Sequence, residues 1–582
     1  MKNKRIKKAN KKIKRLFLFN TATTLTFLII ASQAFANYDI YETPYLIFED
    51  IYDYDFLNVG VNNHRINFNE TIRIGLESRY LNASAISFGN TTLSISVASY
   101  NHTPLTTISG QNFRVIVDNG YYLDSGFIFG TFEEASVFAD YITNDNTVIS
   151  ALYSGFGVLV GPFNNAYNMS RANSNGFSHV YASTRRVTLT DGYERVLTSN
   201  RPLRFTDPMG FMNVRYRYYR GIIEAGRHTG SGITPVNIVN IEEYLKSVVP
   251  SEMPANWHME ALKAQTIAAR SFTFVRRGSH NHLGYELCDT VFSQVYSGIN
   301  MEHERSTHAV LATAGLLAWH GNEIILATYF SSSGGATENS EYVWQQAVPY
   351  LRGVSDRFEI GAREWERSFT MTDINRFATN AGIRIGNINS VSLYHAPNGR
   401  VRRLTLHGSN GTHFIEREAI RTFFNISEYG SLPSRNFVMI GGNYAGTTTV
   451  RNQVYNQPVS RGLAFLSGTN NRASIVPTHF YTLDEQGNSV RQTQYLTIIG
   501  LDNIPDFEDY IPNIPVVPAP YVPDPTITSI VITRSNGYSL NFVGRGWGHG
   551  VGMSQFGANS MAQLGFDHVA ILQHYFSGVE IR

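Results

Sequence analysis

A chain of 582 residues exceeds what one hydrophobic core organises, so several domains are expected. Its formal charge of +2 rests on nine Lys or Arg residues before Leu16; without them 39 basic residues face 46 acidic ones, a charge of −7, which excludes a general nucleic-acid binder. A single cysteine, Cys288, excludes an internal disulfide and leaves stability to burial.

The basic start is followed by the apolar run 16–30, and Ala34-Phe-Ala36 offers a small-x-small cleavage site. Residues 1–36 therefore read as a secretory signal, which places the chain outside the cytoplasm. Residues 16–36 are also long enough to span a bilayer if uncleaved, so a secreted form and a membrane-anchored form both stand open. Residues 37–115 alternate apolar and polar side chains, as in Thr71–Leu76 and Thr92–Val97, and form a β-rich N-terminal segment. Then Gly126-Phe-Ile-Phe-Gly-Thr-Phe132 matches Gly157-Val-Leu-Val-Gly-Pro-Phe163, and an alanine-centred helical pattern follows each (Ala135, Ala166). Two strand–turn–helix units predict a small βαβ-type repeat at 116–175. The pair resembles a SPOR domain, a family that binds glycan strands stripped of peptide; an unrelated α/β insert fits the short motif equally well.

From about 186 to 365 strands alternate with two clear helical patterns, around Glu242–Val248 and His258–Val275, and 366–442 complete this first part of the core, 186–442, with Arg417–Phe424 helical. Residues 443–527 look inserted. Seven of the 20 prolines fall between Pro505 and Pro525, marking an extended linker. The last segment, 528–582, returns to strong patterning, with Asp567 as a helix N-cap and Gly578 beyond the final helix. The fold class expected is α+β and multidomain.

Three motifs carry chemistry. The first is Val248–Trp257, where Glu252 stands between Pro250 and Pro254, which both fix φ. A catalytic acid needs such positioning. In the helix that follows, Glu260, Lys263, Ile267 and Arg270 share one face, while Ala261, Gln265, Ala268 and Phe272 form another stripe. Lys263 and Arg270 also fit a solvated helix edge. The second motif is Gly544-Arg-Gly-Trp-Gly-His-Gly-Val-Gly-Met-Ser-Gln-Phe-Gly557. Glycine at every second position predicts a strand with one bare face and with Arg545, Trp547, His549 and Val551 on the other. Trp547 offers a stacking surface and His549 a polar handle opposite Glu252; a tight structural crossing is the alternative. No frame satisfies G-x-G-x-x-G, so a dinucleotide site is not indicated. The third is Tyr329-Phe-Ser-Ser-Ser-Gly-Gly-Ala-Thr-Glu338, with three hydroxyls and two glycines after a strand.

Together these motifs resemble the SpoIID/LytB family of bacterial peptidoglycan proteins, over roughly 200–442 and 528–582. The resemblance implies a β-rich core with a catalytic helix. It implies a lytic transglycosylase that cuts peptide-stripped glycan between N-acetylmuramic acid and N-acetylglucosamine, with Glu252 as the catalytic residue. Lys263, Gln265, Arg270, Ser332, Ser333, Gly334, Gly335, Trp547, His549 and Gln555 would then line the substrate cleft. The partners implied are peptidoglycan glycan strands and, through LytB-type relatives, a cell-wall amidase; a noncatalytic wall-binding amidase enhancer is the rival reading. No cofactor is expected. Relatives that bind zinc use His and Cys on both sides of a Cys-Asp-Thr step. Here His282 and Cys288 remain while Phe292 and Ser293 stand at the later positions, so no metal is expected. His303 and His308 are five apart, one too many for the shared helix face of a zincin motif.

Overall fold

The computed structural model describes residues 70–98, 104–142, 147–152, 155–424, 430–440, 478–483, 489–494, 529–533 and 539–582. The expected 1–36 leader and Pro505–Pro525 linker and nearly all of the expected 443–527 insertion lie outside the described residues; the described part of 443–527 is a hairpin, Thr478–Leu483 against Ser489–Gln494. Among the described residues no helix is long and apolar enough to cross a membrane.

The alternating N-terminal runs do form strands. Thr71–Gly75 buries Ile72 and Ile74, and Thr92–Val97 buries Leu93, Ile95 and Val97. They are inner members of a seven-stranded sheet in the order Leu287–Cys288, Thr71–Gly75, Val236–Asn240, Ile222–Ala225, Leu203–Thr206, Thr92–Val97, Thr106–Ser109. The repeat also folds as read: strand Tyr121–Phe129 leads to helix Phe132–Tyr141, and strand Phe156–Phe163 to helix Ala166–Ala172. The two repeat strands, however, pair antiparallel, so this is not a parallel βαβ crossover. Their eight-stranded sheet continues on one side through Thr147–Ala151, Glu194–Ser199 and Val187–Asp191 to Phe113–Val117, and ends on the other at Ser178–Val180. One apolar core runs through both sheets, from Phe113 and Val158 to Ile72, and on to Val249, Ala264, Ala558 and Ile571.

A second core, around Trp365, Phe369, Phe437 and Phe542, brings the distant C-terminal segment back. Strand Ser539–Arg545 lies between Glu364–Thr370 and Phe437–Ile440, antiparallel to both. The chain then enters helices Gln555–Gln563 and His568–Tyr575, which pack on helix Met259–Arg276. Asp567 caps the latter of the two C-terminal helices by accepting from Ala570 N–H at 2.8 Å, as its position predicts. On helix Met259–Arg276 the small residues Ala261, Ala264 and Ala268 are fully buried, which lets the helix backbones approach closely.

Candidate active site

Glu252 belongs to the helix that precedes the Met259–Arg276 helix. It is the last residue of helix Ile241–Glu252, which starts at the N-cap Asn240 and contains Pro250 in its final turn. Proline is tolerated there because the missing N–H removes one bond from a helix that ends two residues later. Val248 and Val249 anchor that turn in the core, and Met253 N–H closes onto Val249 O at 2.9 Å. Glu252 keeps partial access to solvent, yet burial pushes its carboxyl up to about 7, against the single opposing pull of Val295 N–H, which donates to Oε1 at 2.9 Å. The carboxyl is thus substantially protonated at neutral pH.

Gln555 joins the two ends of the chain at this point, 303 positions from Glu252: its Nε2 donates to the Glu252 carbonyl at 2.9 Å. The same amide approaches Gln265 Oε1 at 3.4 Å, so Gln265, fully buried, belongs to the wall behind the acid. Val295 is itself held by its neighbour Gln294, which donates to Thr273 Oγ1 at 2.8 Å and accepts from Tyr329 Oη at 2.9 Å. Tyr329 opens the Ser-Gly-Gly motif, so that motif and Glu252 share one network.

The glycine-rich segment corrects the sequence reading. Only Gly544 and Arg545 continue a strand; Gly546, Gly548, Gly550 and Gly552 all take left-handed φ values, +83°, +109°, +87° and +82° in turn. A Cβ on Gly546 would stand 2.8 Å from Ser332 O, and one on Gly552 2.2 Å from Thr328 O. The glycines exist because this loop crosses the Ser-Gly-Gly segment at backbone distance. Ser332 and Trp547 exchange both backbone bonds, at 3.0 and 2.7 Å. Arg363 completes the stitch: its N–H donates to Ser332 Oγ at 3.2 Å and its carbonyl accepts from Gly546 N–H at 2.7 Å.

His549 does not reach Glu252 by any hydrogen bond or ring contact among the described residues. Its ring packs on Trp344 and Phe330, with centroids 5.0 and 5.4 Å away, and its Nδ1 accepts from Val551 N–H at 3.1 Å. Burial, and then the field of Arg421, push its pKa down to about 3, so the imidazole is neutral and serves the loop. Trp547 is half-buried under the Arg363 guanidinium, 5.1 Å from the ring centroid.

Ser333 and Gly334 hold Glu359, whose Oε2 accepts from Ser333 Oγ at 2.5 Å and from Gly334 N–H at 2.8 Å. Gly335, at φ +112°, has open space where a Cβ would stand. Its carbonyl accepts from Asp356 N–H at 2.9 Å. Burial and the neighbouring Glu359 charge push the Asp356 carboxyl up to about 7. This second acid supports the turn and the close-packed Gly557, whose missing Cβ would meet Tyr575 Oη at 2.0 Å and Asp356 Oδ2 at 2.4 Å.

The two helix cations lie elsewhere. Arg270 makes a bidentate pair with Glu242, both contacts 2.8 Å, and donates to Leu316 O at 3.0 Å. Glu242 and Glu252 are ten residues apart on one helix, about 15 Å, so Arg270 anchors the end opposite the acid. Lys263 Nζ pairs with Glu260 Oε1 at 2.6 Å, and Glu260 Oε2 takes His568 Nδ1 at 2.6 Å. Burial opposes the charge of Glu260, but the bonds from Lys263 and His568 carry it down to about 2.

Sequence reasoning missed Arg363, Glu359 and Asp356, which sit in no recognisable spacing. It also missed Val295, which acts through its backbone and leaves no side-chain signal. Ligand-type atoms of Glu77, His280 and Cys288 come within 4.8 Å of one another, so Cys288 is joined by His280 rather than by His282. Burial raises both the Glu77 carboxyl, against the bond that Tyr285 Oη donates to its Oε1, and the Cys288 thiol, so both anions that a metal needs are opposed.

The family model described as Stage II sporulation protein (SpoIID) matches residues 229–320, which hold Glu252, Gln265 and Val295. The chain is 27% identical over 338 residues to a protein named amidase enhancer from Bacillus subtilis (strain 168), covering 58% of this chain and 40% of that relative. It is 26% identical over 361 residues to stage II sporulation protein D of the same organism, and 24% identical over 361 residues to that of Bacillus amyloliquefaciens, each covering 60% of this chain and 75% of the relative. The chain thus spans well under half the length of the amidase enhancer. The region that carries Glu252 thus matches the SpoIID family model, and the chain is similar to both the amidase enhancer and the stage II sporulation proteins D.

Proposed function

We propose that this protein is an extracytoplasmic peptidoglycan lytic transglycosylase acting on peptide-stripped glycan. The observation that carries the reading is Glu252: a rigidly placed carboxyl at the end of helix Ile241–Glu252, with a pKa of about 7 and one backbone N–H on Oε1. A protonated acid at neutral pH can give its proton to the glycosidic oxygen as that bond breaks. The resulting carboxylate takes the proton of the muramic C6 hydroxyl as that oxygen attacks C1. The product is a 1,6-anhydro end, and no water enters. Hydrolysis ordinarily needs a second carboxyl for water or for a covalent intermediate. The Glu359 carboxyl is engaged with the Ser333–Gly335 turn and the Asp356 carboxyl is fully buried, which agrees with the one-carboxyl route.

The rival reading is a noncatalytic enhancer of a cell-wall amidase; the name of the Bacillus subtilis amidase enhancer favours it. Incubation with amidase-treated glycan and mass analysis of the ends separates the two. Anhydro ends support the lyase; products heavier by one water indicate a hydrolase; intact strands leave the enhancer. The repeat at 116–175 is proposed as a glycan-holding surface, tested by retention on peptide-free sacculi.

A further inference from the structure

A half-buried ladder flanks the acid. Trp257 follows Glu252 by five residues, and its ring meets Phe556 edge-on with centroids 4.9 Å apart. Phe556 follows Gln555, the residue that binds the Glu252 carbonyl. The Arg363 guanidinium lies 5.8 Å from the Phe556 ring and 5.1 Å from the Trp547 ring. Among the described residues no acidic side chain lies within 4.0 Å of that guanidinium, although neighbouring Glu364 pairs with Arg545 at 3.1 Å. The Arg363 backbone is fixed at both N–H and C=O by Ser332 and Gly546. A cation held between two aromatic faces is preorganised, and its in-plane donors remain for a ligand.

Resting on the reading of the site as glycan-binding, we propose that Arg363 recognises the free lactyl carboxylate of an N-acetylmuramic acid unit. The aromatic faces of Trp547, Phe556 and Trp257 take the sugar rings, and the planar guanidinium meets the planar carboxylate by two parallel bonds. In peptide-bearing glycan the lactyl carbonyl is an amide, which carries no charge and accepts only one such bond well. Selection of stripped strands then arises at Arg363, because only removal of the peptide creates the anion.

The test is binding to the full chain in the Glu252→Gln background, where no cleavage interferes. Three soluble probes are compared: a peptide-free muramic-containing oligosaccharide, the same sugar with its lactyl carboxyl converted to the methylamide, and an N-acetylglucosamine oligomer of equal length. We expect the free acid to bind about ten- to a hundredfold more tightly than the methylamide. In Arg363→Gln that ratio should fall to about one, while the N-acetylglucosamine oligomer binds as before. Equal binding of acid and methylamide by the unaltered Arg363 protein overturns the proposal without any need for the variant to fold. A ratio that survives in Arg363→Gln overturns it too. If carboxyl selectivity is found while Glu252 supports no cleavage, the lyase reading fails and this assignment stands.

Discussion

Glu252→Gln tests the environment of the acid as well as its chemistry. The amide keeps the shape, and its oxygen can still accept from Val295 N–H. It cannot donate a proton as an acid does, so glycan cleavage should fall by at least about a hundredfold, the lower range for general-acid assistance. Stability should change with pH in a defined direction. The folded carboxyl titrates near 7 and the ordinary value is 4.5, so the unfolded chain releases its proton first as pH rises. Wild-type stability therefore declines between about 4.5 and about 7 and is level above. The full difference corresponds to about 3 kcal/mol, and nearer about 2 kcal/mol once the partial solvent access of the residue is counted. The glutamine variant has no such proton to lose. Urea unfolding of both proteins at pH 4 and pH 8 should show the variant gaining about 2–3 kcal/mol on the wild type between the two. A difference that does not move with pH would mean that Glu252 is solvated and ordinary, and the case for it as the acid would collapse.

Four further outcomes follow from the same geometry. Cleavage by the wild type should fall as pH rises above about 7, because the proton donor is then lost; a rate that climbs through this range would assign the limb to another group. Gly546→Ala forces a side chain into a left-handed backbone against Ser332 O, so it should cost at least about 1–3 kcal/mol and lower cleavage, and unchanged melting would refute the crossing. Arg270→Met leaves Glu242 without its bidentate partner and should destabilise by about 3–5 kcal/mol; loss of activity without loss of stability would instead return Arg270 to the cleft. Elemental analysis should find no stoichiometric zinc, and one zinc per chain that disappears in Cys288→Ser would show that Glu77, His280 and Cys288 do close on a metal.

Local signals were legible where the physics is local. Thr71–Gly75 and Thr92–Val97 alternate because one face of each is buried, and that period survives in the sheet. Asn240, His258 and Asp567 cap helices whose starts the sequence indicates. Pro250 misled, because its fixed φ also suits the last turn of a helix. The alternating glycines misled for a related reason. Alternation in a strand and alternation in a left-handed loop look the same in sequence, and the atoms that decide, Ser332 O and Thr328 O, belong to another segment.

The same dependence explains which site residues could not be found. Glu252 stands out because its own neighbours stiffen it, but its acidity is set by enclosure and by a backbone N–H at Val295, 43 positions away. His549 reads as a chemical group because histidine usually is one, yet Trp344, Phe330 and the field of Arg421 keep it neutral. Arg363 reads as nothing in sequence, and its fixed backbone and two aromatic faces come from Ser332, Gly546, Trp547 and Phe556. The three motifs thus have unequal tasks. The first carries the carboxyl proposed as the proton donor, whereas the Ser-Gly-Gly and glycine-rich segments chiefly build a crossing that fixes an otherwise unmarked arginine against a tryptophan.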